Sequence, residues 1–300
     1  MIFQGRYKKM KIGVSSYSFA AYMKKTGASY IDICDKAKEI GYEAIEFIPF
    51  TNGDNTTHEW CLDMADKLRE HCGKIGLEIT AYTVGADLVK PEADETVENL
   101  YKCLEITKRL GARVLRHDVV FKLPDGWTWE DAMREATPRI RKVADRAAEM
   151  GITTCVENHG RIFQDPDRVE ALILAVDRKN FGWLCDIGNF LCTDCDPLAS
   201  VKIATKYAVH VHAKDFLYRP ASSTTLAGFG IGTRGGNFIR GTVVGHGVVP
   251  VYECVKALID AGYKGDFSLE FEGAEEPEYA LENGYKNLKA CVDAAMSDSN

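Results

Sequence analysis

Four side chains in the second half of this chain could share one divalent cation. Glu157 in ITTCVENHG, Asp186 in FGWLCDIGN, His212 in AVHVHAKDF and Glu270 in GDFSLEFEG each end a short apolar run. Three carboxylates and one imidazole make a mostly hard donor set. Mn²⁺ suits it best, with Mg²⁺, Co²⁺ and Zn²⁺ as further options. The plainer explanation for either glutamate alone is a buried salt bridge, since a buried carboxylate needs a partner. With all four residues at equivalent ends of such runs, one cation accounts for them together. It neutralises three carboxylates that would otherwise repel one another.

Other residues qualify as neighbours of such a site. Glu46 and His117 end earlier apolar runs and are expected at the same rim, where they could bind hydroxyl groups. Asn158 and His159 directly follow Glu157, and His159 is a candidate general acid or base near neutral pH. His246 lies between two glycines that would let the backbone approach a ligand, which suggests substrate contact or proton transfer. Lys214 shares a strand face with His212 at a spacing of two. For His210 and His212 the expectation is that only one enters the interior, the other resting against a helix layer; spacing alone leaves the choice open. Trp127 and Trp129 in PDGWTWED fit a helix start better than a sugar-stacking surface. Gly228, Gly230 and Gly232 lack the GK[ST] ending of a phosphate loop.

These residues need a scaffold that aims strand ends at one point. A repeated phrase supplies it: an amphipathic helix, a glycine, then a β-rich run. Gly41, Gly76, Gly111, Gly151 and Gly262 stand where a helix requires a left-handed cap, and the first three recur every 35 residues. Helices alternating with short apolar runs predict a parallel sheet. Eight strands are expected near 11–17, 44–49, 77–84, 113–119, 152–158, 181–187, 208–214 and 266–271, with a last helix near 277–296. Eight such units close into a (β/α)₈ TIM barrel, one domain spanning 1–300, whose active face gathers the C-terminal strand ends. A doubly wound sheet is the competing architecture, but no GxGxxG follows the first strand. Residues 216–249 form a long Gly-rich segment after strand seven. Its Phe229, Arg234, Phe238 and Arg240 favour a lid.

Composition narrows the function classes. Hydrophobic residues at 46% and charged residues at 27% describe an ordinary folded chain, and the net charge of −7 disfavours a nucleic-acid partner. No apolar run approaches the roughly 18 residues of a membrane span. The opening MIFQGRYKKMKIGVSSYSF reads as a first strand rather than a signal peptide, so a cytoplasmic location is expected. The ten cysteines are mostly scattered singly in apolar runs, as reduced structural thiols would be; Cys192 and Cys195 form a lone CxxC pair.

Taken in order, VENH, CDIGN, HVHAKD, GHG and SLEFEG resemble the xylose isomerase-like superfamily of sugar isomerases and epimerases. The resemblance runs from KIGVSSYSF to the final helix. It implies a barrel holding one divalent cation on Glu157, Asp186, His212 and Glu270, with His212 rather than His210 as ligand. In epimerase members the two glutamates are also the acid–base pair. Ketose 3-epimerases of this group carry a histidine where this chain has Asn189, and an arginine where it has Tyr218 followed by Arg219. The metal set therefore carries over and those substrate contacts do not. Asn189, Lys214, Arg219 and Arg240 complete the candidates for substrate contact.

The implied chemistry is proton abstraction beside a carbonyl of a ketose, keto-sugar or polyol, through a metal-stabilised enediolate. Proton return gives an epimerase or isomerase; expulsion of a β-substituent gives a dehydratase or lyase. A homo-oligomer is expected; the alternative is a non-catalytic sugar-binding subunit, with a second subunit supplying the missing catalytic groups. The endonuclease branch of the superfamily needs more metal-binding histidines and a basic DNA face than this chain offers.

Overall fold

The computed structural model describes residues 10–221 and 228–299. The start of the opening stretch and residues 222–227 of the Gly-rich segment thus lie outside the described residues. Eight parallel strands close a barrel: β1 (Ile12–Ser15), β2 (Ala44–Phe47), β3 (Glu78–Val84), β4 (Val114–His117), β5 (Thr153–Glu157), β6 (Phe181–Asp186), β7 (Ala208–Ala213) and β11 (Phe267–Leu269). Their order around the barrel is β1-β11-β7-β6-β5-β4-β3-β2. The eight expected stretches supply these eight strands.

Local chemistry explains the alternation. Gly41, Gly76 and Gly111 cap their helices with φ of 118°, 68° and 76°, a region that a residue with a Cβ enters only at a cost. Helix starts are marked as clearly. Ser29 with Asp32, and Thr128 with Asp131, form reciprocal capping boxes, so Trp129 opens a helix. The barrel strands are buried along almost their whole length, as expected of a parallel sheet covered by helices.

The Gly-rich segment departs from the expectation of a long irregular lid. It holds a small antiparallel sheet of β8 (Asp215–Arg219), β9 (Ile231–Gly232) and β10 (Phe238–Thr242), in the order β8-β10-β9. Phe216, Ile239 and Cys192 form a minor apolar cluster beneath it. Gly241 lies so close to the chain after β11 that a Cβ would sit 1.6 Å from the Glu272 carbonyl oxygen. Asp215 anchors the far end by accepting backbone N–H bonds from Phe216, Gly245, Gly247 and Val249. Polar latches fix the rest. The Asp194 carboxylate accepts from Thr233 Oγ1 at 2.7 Å, Asn237 Nδ2 at 2.6 Å and Gly235 N at 2.5 Å. Arg234 forks onto Asp165 at 2.5 and 2.9 Å.

Asp194→Ala should free the sheet while leaving the barrel intact. Two or three bonds worth about 1 kcal/mol each predict amide exchange in 231–240 that is faster by on the order of 10–100-fold. Hydrogen-exchange mass spectrometry with unchanged protection in β5 and β6 is the check.

Candidate metal centre and active site

Parallel registry brings the four chosen donors together. Asp186 pairs with His212 across β6 and β7, while Ser268, two residues before Glu270, pairs with His212 on the other side. Single ligand atoms of Glu157, Asp186, His212 and Glu270 lie within 4.8 Å of one another. His212 Nδ1 is 3.4 Å from Glu270 Oε2 and 3.8 Å from Glu157 Oε1. Asp186 Oδ1 accepts from the backbone N–H groups of Gly188 and Asn189 at 2.8 and 3.0 Å. Asp186 Oδ2 and His212 Nδ1 are buried without a hydrogen-bond partner.

That pattern fits a cation. Buried polar atoms are otherwise almost always satisfied, and these two belong to the set that would ligate one. Electrostatics agrees. Burial, reinforced by Glu157 and Glu270, pushes the Asp186 carboxyl up to about 7 despite Lys214 nearby. A divalent ion would relieve that cost.

Two protein cations flank the cluster. Arg116 Nη2 lies 2.8 Å from Glu157 Oε2, and Lys214 Nζ lies 2.6 Å from Glu270 Oε2 and 3.5 Å from Asp186 Oδ2. Burial works against ionisation of Glu157, but Arg116 and then His212 outweigh it and bring its carboxyl down to about 2. Burial likewise opposes the charge on Glu270, yet Lys214 and His212 hold it well below the ordinary range. Both glutamates are anionic at neutral pH.

Beside the cluster lies a cavity of about 320 Å³. Asn189, Lys214, His159, Arg240 and Glu272 all line it. Asn189 Nδ2 donates to Glu157 Oε1 at 2.8 Å, and its Oδ1 lies 3.4 Å from Lys214 Nζ. The His159 ring spends Nδ1 on Asp118 Oδ1 at 2.9 Å.

Several expected neighbours are elsewhere. Glu46 is not at the rim; it is fully buried inside the barrel, with Oε2 2.5 Å from His210 Nε2 and Oε1 2.7 Å from His212 Nε2. That contact also corrects the placement of His210. Residues two apart on a strand share a face, so His210 and His212 both enter the lumen. His117 is buried and stacked on Phe181, its Nδ1 on the Asp118 carbonyl. Adjacent Arg116 reaches Glu157, so alternation turns His117 away from the site. Asn158 clamps two strands instead of meeting a ligand. Its Nδ2 donates to the Asp186 carbonyl, and its Oδ1 accepts from Trp183 Nε1 and Asp186 N. His246 is exposed beside Tyr279, and Arg219 is exposed over the Phe229 ring; neither lines the cavity.

The structure adds residues that sequence reasoning passed over. Arg116 grips Asp118 with two guanidinium nitrogens at 2.7 and 3.2 Å while holding Glu157, linking His159 to the cluster. Arg161, Gln164 and Glu272 join the cavity wall. The RHD phrase offered a signal for the first pair, because its alternate positions share one face.

Known proteins resemble this chain in the same terms. The family model for the xylose isomerase-like TIM barrel matches residues 34–291. Inosose dehydratase of Geobacillus thermodenitrificans (strain NG80-2) is 30% identical over 149 residues, 47% of this chain and 49% of that protein. The chain thus spans about half the length of that curated relative. The structure of L-ribulose 3-epimerase superposes with a TM-score of 0.72 at 16% identity, covering 97% of each chain. IOLI protein with a bound zinc atom gives 0.71 at 17%, covering 97% of this chain and 99% of its own. These two likenesses concern the fold. With eight strands closed and the family model spanning most of its length, the chain belongs to the xylose isomerase-like TIM barrel family.

Proposed function

We propose that this protein is a metal-dependent isomerase or epimerase of a small ketose, keto-sugar or related polyol. One observation carries the reading: two anionic glutamates and two orphaned donors converge beside a cavity of about 320 Å³, near the lower end of the range for small-molecule sites. Glu157, Asp186, His212 and Glu270 would hold the cation, Mn²⁺ foremost. When bound, it supplies Lewis-acid stabilisation of the oxygen charge that develops as the substrate enolises.

The chain's own groups do the rest. A carboxylate oxygen of Glu157 or Glu270 accepts the proton α to the carbonyl, and the other glutamate returns one. Asn189 and Lys214 orient the two glutamates through the contacts described above. His159, with Nδ1 committed to Asp118, offers Nε2 for a hydroxyl proton. The zinc of the IOLI structure and the epimerase among the structural neighbours support this assignment.

Dehydration is the second reading. Lys214 Nζ, held by Glu270 and 3.4 Å from Glu272, is a cation placed to stabilise the charge on a departing hydroxyl. The similarity to inosose dehydratase favours the same outcome. Incubation with Mn²⁺ and candidate ketoses or keto-inositols in D₂O separates the two. Deuterium gain with the carbon skeleton and oxygens retained is expected for an epimerase; loss of water identifies a dehydratase. Absence of both deuterium exchange and product across such a panel would sink the proposal.

A further inference from the structure

We propose that Glu46 is a positioning residue for the metal centre, fixing which ring nitrogen of His212 faces the cation. The inference rests on the metal-centre reading above and goes beyond its four ligands. In the barrel, β11 and β1 separate β7 from β2, so the Glu46–His212 contact crosses the lumen. Glu46 has no exposed surface, and its two oxygens divide between His212 Nε2 at 2.7 Å and His210 Nε2 at 2.5 Å.

Glu46, His210 and His212 could themselves be taken for a second cation site. Their separations argue otherwise. Two donors bound to one ion at about 2.0–2.2 Å each stand roughly 3 Å or more apart. The 2.5 Å contact with His210 is a hydrogen bond and the 2.7 Å contact with His212 is a buried ion pair, both closer than two donors on one ion would stand.

The consequence falls on His212. An imidazole coordinates through the nitrogen that lacks hydrogen, and the group facing its other nitrogen decides which one that is. With Nε2 turned to Glu46, the hydrogen stays on the lumen side. Nδ1 faces Glu270 and Glu157 at the longer distances of 3.4 and 3.8 Å, and is the nitrogen that would meet the cation. A carboxylate serves better here than an amide, because its two charged oxygens each face one of the histidines. A purely structural Glu46 would be satisfied by His210 and would leave metal affinity alone.

Calorimetric titration of Mn²⁺ into wild type, Glu46→Gln and His210→Gln tests this. Glu46→Gln is expected to weaken Mn²⁺ binding by about 10–100-fold, with His210→Gln within roughly threefold of wild type. Long-range ¹⁵N NMR of the Zn²⁺-loaded wild type should show His212 protonated at Nε2, a readout that needs no variant to fold. Glu46→Gln binding Mn²⁺ as tightly as wild type, or His212 protonated at Nδ1, would overturn the assignment while leaving the metal centre standing. A wild type that takes up neither Mn²⁺ nor Zn²⁺ removes both.

Discussion

Glu270→Gln is expected to slow solvent exchange of the substrate α-proton by roughly 10³-fold or more, within the 10²–10⁴-fold range of a positioned acid–base group. The physical grounds are double. The amide cannot take the proton, and Lys214 loses the carboxylate that lies 2.6 Å from its Nζ. The ammonium then turns to Asp186 and Glu272, at 3.5 and 3.4 Å, competing with the cation for Asp186. Exchange followed by NMR in D₂O, beside metal content measured by mass spectrometry, separates lost base from lost metal. Exchange at the wild-type rate in a metal-replete variant would move the base elsewhere.

Stripping the cation should make stability depend on pH in a defined direction. In the cation-free fold Asp186 titrates at about 7, raised by burial first and then by Glu157 and Glu270, against an ordinary 3.8. Between those values the folded chain holds a proton that the unfolded chain has released, so stability falls as pH climbs through that window and stays low above it. His212 adds the same sign. Burial opposes its charge, but Glu46 and Glu270 outweigh it and raise the imidazole well above 6.5, so its contribution is lost above that point. Glu157, brought down to about 2, acts only below its ordinary 4.5 and leaves the neutral range alone.

Chelator-treated protein should therefore melt lower at pH 8 than at pH 5, with the loaded protein nearly level. At an ion concentration near 100 times its Kd the two forms should differ by about 5–10 °C at pH 8, from about 2.7 kcal/mol of linkage. Calorimetric scans at both pH values provide the measurement. Superimposable scans with and without the ion would mean that no cation belongs there.

The barrel was legible because its signals are local. Helix faces, caps at Gly41, Gly76 and Gly111, and apolar runs of strand length each depend on residues near in sequence. The end-of-run positions of Glu157, Asp186, His212 and Glu270 were legible for the same reason, and registry then brought them together. The Gly-rich segment was harder. Its pairing of Phe238 with Arg219 joins residues nineteen apart with no tight turn to announce them, and the glycine count suggested irregular chain instead.

The sequence alone determined the strand and helix order, and with it the rim to which four donors would be carried. Only the tertiary structure decided what each polar side chain faces. Glu46 went inward to two histidines, Asn158 became a clamp, His117 turned toward Phe181, and Arg116 took Glu157. Strand phase about the barrel axis and contacts across the lumen set those directions. Both depend on how eight distant segments close, which no local pattern encodes.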